Sequence, residues 1–395
     1  MSVDLPIYLD NHATTRCDPR VLDAMWPYFA ERYGNAASRS HTLGHQARSA
    51  VERARMQIGT ALGCSPKEVL FTSGATESNN LAILGVVRPL LAQKPHVITV
   101  VTEHKAVLDP VEQLRREGAE VTLLSVDAHG ALDLDAVADA LRPNTALLSA
   151  MAVNNEIGTQ HDLSALGKLC RDNGTVFHVD AAQAVHTRPP HLHDQCIDLM
   201  SISGHKLYGP KGAGALLVRR GRPRFRVAPL QHGGGHERGM RSGTLAVPLI
   251  VGLGRAVELA VAGLNDGEAD RVRALRDRLH HGLSQGIEGL RLNGPPLDAR
   301  VGNNLNLSFD GTEAEALLMS VRELCMSTGS ACTSATLEPS HVLRAIGVPS
   351  EVAHSSLRFG LGRFTTEAEV DHAVNLLVEK VATVRALSLR DFSAE

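Results

Sequence analysis

Lys206 stands in Ser203-Gly204-His205-Lys206-Leu207-Tyr208-Gly209, just past an apolar run, an unusual place for a merely solvated charge. Lysine is the side chain that forms Schiff bases, once its pKa is lowered. Two other stretches precede it. In His178-Val179-Asp180-Ala181-Ala182-Gln183 a carboxylate and an amide follow a strand. Asp180 could hold a pyridinium nitrogen protonated and Gln183 could bond a phenolic oxygen; Asp180 could equally cap a helix. In Thr72-Ser73-Gly74-Ala75-Thr76-Glu77-Ser78, small and hydroxylated residues separate a strand ending at Phe71 from a helical run starting near Ala75. A helix start has unpaired N–H groups and a positive dipole end, which suits phosphate, although an ordinary N-cap reads the same way. An amine for an aldehyde, an acid for a ring nitrogen and a cup for a phosphate are what a pyridoxal cofactor needs. Each signal is weak alone. At the ends of successive strands, in this order, they reinforce one another.

The elements that must position these residues alternate. Strands are expected at 96–102, 120–126, 145–153, 175–179, 197–203 and 214–219, with helices at 109–117, 134–141 and 163–172. Apolar runs of this length between helices indicate strands covered on both faces, hence an α/β fold with a mostly parallel sheet. Ligands in such sheets bind beyond the carboxyl ends of the strands. After about Asn265 the pattern becomes α+β: a charged helix at 268–283, a strand at 304–309, a helix at 312–324, a Ser/Thr/Gly/Cys loop, a helix at 340–346, a strand at 355–359 and a final helix at 366–387.

The chain has 395 residues, enough for two domains with a sizeable core. Its formal net charge of −3 favours neither nucleic acid nor an anionic membrane. Met1 to Asp10 does not read as a secretory signal. The most apolar stretch, Leu245 to Ala262, is interrupted by Pro248, Arg255 and Glu258 and reads as a buried helix rather than a membrane span. None of the six cysteines forms Cys-x-x-Cys, so a reducing cytoplasm is expected rather than a disulfide framework. Cys325 is expected in the core at a helix end.

The stretches Tyr8 to Thr15, Thr72 to Asn79, Val153 to Gly158, Ser203 to Gly212, His232 to Thr244 and Ser327 to Leu343 resemble the cysteine desulfurases, within the class V aminotransferase group of pyridoxal-phosphate enzymes. The likeness runs from Tyr8 to about Leu387. The loop Ser327-Thr328-Gly329-Ser330-Ala331-Cys332-Thr333-Ser334-Ala335 resembles the subgroup with the housekeeping iron–sulfur cluster enzyme. The resemblance implies the pyridoxal-phosphate transferase fold of type I. It implies a large cofactor domain over 16–264 and a small domain of 1–15 with 265–395. It makes Lys206 the Schiff-base lysine and His104 a ring-stacking proton carrier, with Asp180 and Gln183 holding the ring. Ala75, Thr76, Ser203 and His205 would bind the phosphate, and Thr244 that of a neighbouring subunit in a homodimer. Asn155 and Arg358 would take the carboxylate of L-cysteine, and Cys332 would accept its sulfur as a persulfide. No metal is implied, beyond Cys332 as a transient iron–sulfur ligand. The chain ends soon after its last expected helix, where housekeeping relatives carry a longer scaffold-docking tail. The sulfur acceptor thus stays open between an iron–sulfur scaffold and a tRNA-thiolation protein. An aminotransferase or lyase on the same fold would not need Cys332, a selenocysteine lyase would use the same residues, and a non-catalytic relative would have lost Lys206 or Asp180. His12, which replaces a small residue of the relatives, reads as a packed histidine.

Overall fold

A computed structural model describes residues 3–221, 225–328 and 339–391, so Cys332 lies outside the described residues. Among the described residues there are twelve strands: Ile7–Tyr8 (β1), Val69–Thr72 (β2), His96–Val100 (β3), Glu120–Leu124 (β4), Thr145–Met151 (β5), Val176–Asp180 (β6), Leu199–Ser203 (β7), Gly214–Val218 (β8), Leu290–Leu292 (β9), Asn304–Phe309 (β10), Leu324–Cys325 (β11) and Ser356–Gly360 (β12). Seven of them form one sheet in the order β2-β8-β7-β6-β5-β3-β4. The pairs from β7 through β6, β5 and β3 to β4 are parallel. β8 runs antiparallel to both β7 and β2, because the short connection after Ser203 turns the chain back instead of crossing over. Helices cover both faces, which explains why β3 and β7 are buried at every residue.

The register aligns the chemistry. Met151 pairs with Asp180, and Asp180 with Ser201. Thr72 and Ser203 both pair with Gly214. The carboxyl ends of β2, β5, β6 and β7 therefore meet along one edge. A Cβ at Gly214 would stand 2.5 Å from the Cα of Gly74, so glycine there lets the turn after β2 lie on the sheet.

A second apolar core forms around β12-β10-β9 and the helices Glu268–Gly286 and Glu367–Asp391. Ile7 and Leu9 belong to it. β1 enters by pairing with β11, Ile7 opposite Leu324 and Tyr8 opposite Cys325. This corrects two expectations. The helix placed at 312–324 spans only Ala314–Ser320, and Cys325 lies half-buried on a strand rather than in the core at a helix end. A partner strand from the other end of the chain takes the backbone groups that a longer helix would have used.

Helix Val247–Asn265 is, by length and composition, apolar enough to cross a bilayer, despite the three interrupting residues. Its inner face packs in the large core through Ile250, Leu253 and Val257. A Cβ on Gly254 would lie 2.8 Å from the Cα of Ala54, which shows how closely it rests on helix Thr42–Ala61.

One ionic knot ties the start of the chain to its C-terminal part. Asp18 accepts from Arg20 at 2.7 Å and from Arg363 at 2.8 Å, and Arg363 also donates to Glu268 at 2.8 Å. The Arg363 guanidinium lies over the Tyr208 ring, 4.4 Å from its centroid. Arg20, and behind it Arg363, hold the Asp18 carboxyl far below its usual range against the opposing effect of burial. A depressed carboxylate stabilises the fold above its unfolded pKa and loses that contribution as pH falls toward the folded value. Asp18→Asn is expected to lower unfolding stability by about 3 kcal/mol near neutral pH, since it takes one of two carboxylate partners from the buried Arg363 guanidinium. Urea titrations of both proteins should show a constant gap at pH 6–8 that closes below about pH 4.

Candidate active site

A cavity of about 770 Å³ opens beyond the carboxyl ends of β5, β6 and β7. One wall is the start of helix Ala75–Val87. Its N-cap, Gly74, supplies no side-chain cap. The first intrahelical bond comes from Ser78 N–H to Gly74 C=O, leaving the N–H groups of Ala75, Thr76 and Glu77 without an intrahelical acceptor. Ser203 faces this turn, and its buried hydroxyl has no hydrogen-bond partner among the described residues. An orphaned hydroxyl beside an uncapped helix start suits a phosphate. His205, next along the chain from Gly204, is bonded through Nδ1 to the Thr14 hydroxyl at 3.1 Å. Burial, then Lys206 and Lys211, push its pKa down to about 4, so it is a neutral donor at physiological pH.

Asp180 ends β6 with its carboxylate fixed at both oxygens. Asn79 Nδ2 donates to one at 2.7 Å and the Ala182 N–H to the other at 2.9 Å. Asn79 follows Ala75 by one helical turn, so the element that starts the phosphate wall also orients the acid. Glu103 is fully buried nearby. One of its oxygens accepts from Met151 N–H and the other has no partner. Burial, and then the Asp180 charge, raise its pKa far above the carboxylate range. Both effects favour the neutral acid over a second anion beside Asp180.

Lys206 Nζ donates to the carbonyls of His12 and Ala13. Segment 12–15 is held against it by Thr15, whose N–H and hydroxyl both donate to His205 C=O. His104 caps helix Lys105–Arg116, with its Nδ1 accepting from Ala106 N–H at 3.0 Å. An accepting Nδ1 carries no proton, so the ring proton sits on Nε2. The same cap starts the helix four residues before the expected 109.

Arg358, on β12, is buried at the far side. Its Nη2 donates to Asp10 and to the Ser327 hydroxyl, each at 2.9 Å, and its Nη1 donates to Asn155 C=O at 3.1 Å. Its Nε is buried and has no partner among the described residues. These bonds leave one Nη1–H of the guanidinium for an incoming carboxylate. Ser327 also pairs with Arg358 through the backbone, and Ser340 donates to Glu156 at 2.5 Å. Pro339 and Ser340 line this cavity, and Ser327 is bonded to Arg358 in its wall.

Ala75, Thr76, His104, Asn155, Asp180, Gln183, Ser203, His205, Lys206 and Arg358 all line it. Thr244 does not; it is exposed outside it. Asn79, Glu103 and His12 were not singled out in the sequence as site residues. Asn79 lay inside a quoted stretch and its helical spacing from Ala75 was the available signal. Glu103 adjoins His104 but offered no signal of its own. His12 is packed, as expected, yet it also faces the cavity. The uncapped helix start, the orphaned Ser203 hydroxyl, the anchored Asp180 and the Lys206 amine fit a pyridoxal phosphate.

The family described as aminotransferase class-V matches residues 7–373. Among curated proteins, the Cysteine desulfurase IscS of Anaeromyxobacter dehalogenans (strain 2CP-C) is 54% identical over 384 residues, covering 97% of this chain and 94% of that protein. The protein of the same name from Rickettsia rickettsii (strain Iowa) is 51% identical over 387 residues, with 98% and 94% covered. Among solved structures, a NifS-like protein superposes with a TM-score of 0.89 at 36% identity, covering 96% of this chain and all of the other. DndA from Streptomyces lividans superposes with a TM-score of 0.75 at 40% identity, with 91% and 99% covered.

Proposed function

We propose, on the premise that this chain belongs to the aminotransferase class-V family and is a pyridoxal-phosphate-dependent cysteine desulfurase, that its cavity takes L-cysteine and that Cys332 keeps the sulfur as a persulfide. One observation carries the reading: Lys206, Asp180 and the uncapped helix start converge on one cavity whose opposite wall is Arg358.

Ala75, Thr76, Ser203 and His205 would hold the cofactor phosphate, Asp180 and Gln183 the ring, and Lys206 the aldehyde carbon. When bound, the cofactor supplies an electron sink for charge that develops at the substrate carbons. The protein's part is positioning and proton traffic. Arg358 meets the substrate carboxylate through its remaining Nη1–H, with Asn155 beside it. Lys206 Nζ, held at the His12 and Ala13 carbonyls, would carry protons to and from the substrate. His104 is the second carrier. The Cys332 thiolate attacks the substrate sulfur; an S–S bond forms as the C–S bond breaks, and the carbon left with the electron pair takes a proton to give alanine. Cys332 is four residues past Thr328.

The sulfur is donated for iron–sulfur cluster assembly, a reading supported by the likeness of segment 327–335 to the housekeeping subgroup. A homodimer is supported by exposed Leu22, Trp26, Phe29 and Tyr33, more apolar surface than one short segment usually shows. Thr244, outside its own cavity, would then serve the partner's.

The test is alanine and sulfide released from L-cysteine with a reductant present. Equal yields of both support the reading; pyruvate and ammonia in place of alanine would reject it. Arg358→Ala is expected to raise KM for cysteine roughly 10²-fold, from the loss of charge-assisted bonds, with a much smaller change in kcat.

A further inference from the structure

A glutamine amide has the same shape either way round, so its partners decide whether N–H or C=O faces a ligand. For Gln183 both partners belong to one residue. Its Oε1 lies 3.2 Å from His12 Nδ1, and its Nε2 donates to the His12 carbonyl at 2.9 Å. The carbonyl can only accept, and the polarity of the ring contact is set from further away. Arg300, which can only donate, bonds Asn304 Oδ1 at 3.3 Å. Asn304 Nδ2 donates to Glu156 C=O at 3.0 Å and faces His12 Nε2 at 3.2 Å. His12 Nε2 must then accept, which leaves its proton on Nδ1, pointing at Gln183 Oε1. All four residues are buried.

We propose that His12 is a positioning residue that locks the Gln183 amide so that an N–H, and not the carbonyl, is presented to the cavity. The inference rests on the reading that this cavity holds pyridoxal phosphate. Turning the amide over would set N–H against N–H and C=O against C=O, two buried contacts with no solvent to relieve them. One Nε2–H is used on His12 C=O and the other remains for the ring oxygen. A donor there favours the ionised oxygen; a carbonyl would oppose it. The same His12 carbonyl accepts from Lys206 Nζ, so one residue sets the lysine's resting place and the glutamine's direction. Burial and the neighbouring Arg358, His186 and Lys206 oppose a second proton on His12, against the favourable Gln183 bond, so the polarity of the chain holds across the physiological range.

The test compares the holoenzyme with His12→Asn and His12→Gln. Asparagine carries its amide nitrogen near the place of Nδ1 and can still donate to Gln183. Glutamine reaches toward Asn304 and cannot. The readout is the pH midpoint between the two absorbing forms of bound cofactor, without cysteine. His12→Asn should stay within about 0.3 units of wild type, and His12→Gln should move up by roughly one unit, a tenfold change. Equal midpoints for His12→Gln and wild type, or equal shifts in both variants, would overturn the clamp. In cofactor-free protein, ¹⁵N spectra of the His12 ring should show the proton on Nδ1; a proton on Nε2 overturns the clamp whatever the cavity holds. Absence of cofactor absorbance in wild type would instead overturn the reading of the cavity.

Discussion

Lys206→Ala is expected to lower alanine release at least about 10³-fold while the protein still binds pyridoxal phosphate. The amine has two tasks in this account, to carry the aldehyde carbon and to move protons, and no other described side chain offers an amine at the His12 and Ala13 carbonyls. The phosphate wall and Asp180 do not depend on it, because Asp180 is fixed by Asn79 and Ala182 and the helix start by backbone. Affinity for the phosphate should therefore survive, while the absorbance of a cofactor bound covalently to the lysine disappears. Lys206→Arg should behave the same way, since a guanidinium keeps the charge but not the nucleophile. The stability cost should be small, about 1 kcal/mol, because His12 C=O keeps its bond from Gln183. A variant with a tenth of wild-type turnover would show that Lys206 is not the reacting amine.

Cys332→Ala is expected to remove alanine and sulfide release together, by at least about 10²-fold, with cofactor absorbance unchanged. A thiolate is the only nucleophile in this account that can take sulfur from the substrate. The cofactor walls come from β2, β6, β7 and the helix after β2, so none of them is touched. Cys325 is the nearest alternative in sequence, but its place on β11, bonded to β1, holds it to the sheet. Cys325→Ala should therefore leave turnover within twofold of wild type. A Cys332→Ala enzyme with normal alanine release would favour the lyase or aminotransferase reading.

The large sheet was legible because its inner strands are buried on both faces and so read as apolar runs between helices. β10 was placed to the residue at 304–309 although it carries two asparagines and a serine, because its leucines and phenylalanine alternate with them. β1 and β11 were not legible. Each has two residues, and each exists only because the other end of the chain supplies its partner. The reacting groups were readable from residue type: an amine, an acid and small residues at strand ends. Their supports were not, since Asn79, Glu103 and His12 have roles that depend on which strands lie side by side. His104 as an N-cap was missed because histidine is a rare cap, and the helix start moved with it. Thr244 was grouped with the phosphate residues by likeness alone, and within one chain it stands apart from them.

The central claim is that sulfur passes from cysteine to Cys332. The most direct measurement is a single turnover with L-cysteine and no reductant, followed by alkylation and mass spectrometry of the peptide that contains Cys332. The account predicts one extra sulfur atom on that peptide and an equal amount of alanine. Alanine formed with Cys332 unmodified, or with the extra sulfur on Cys325, would contradict it.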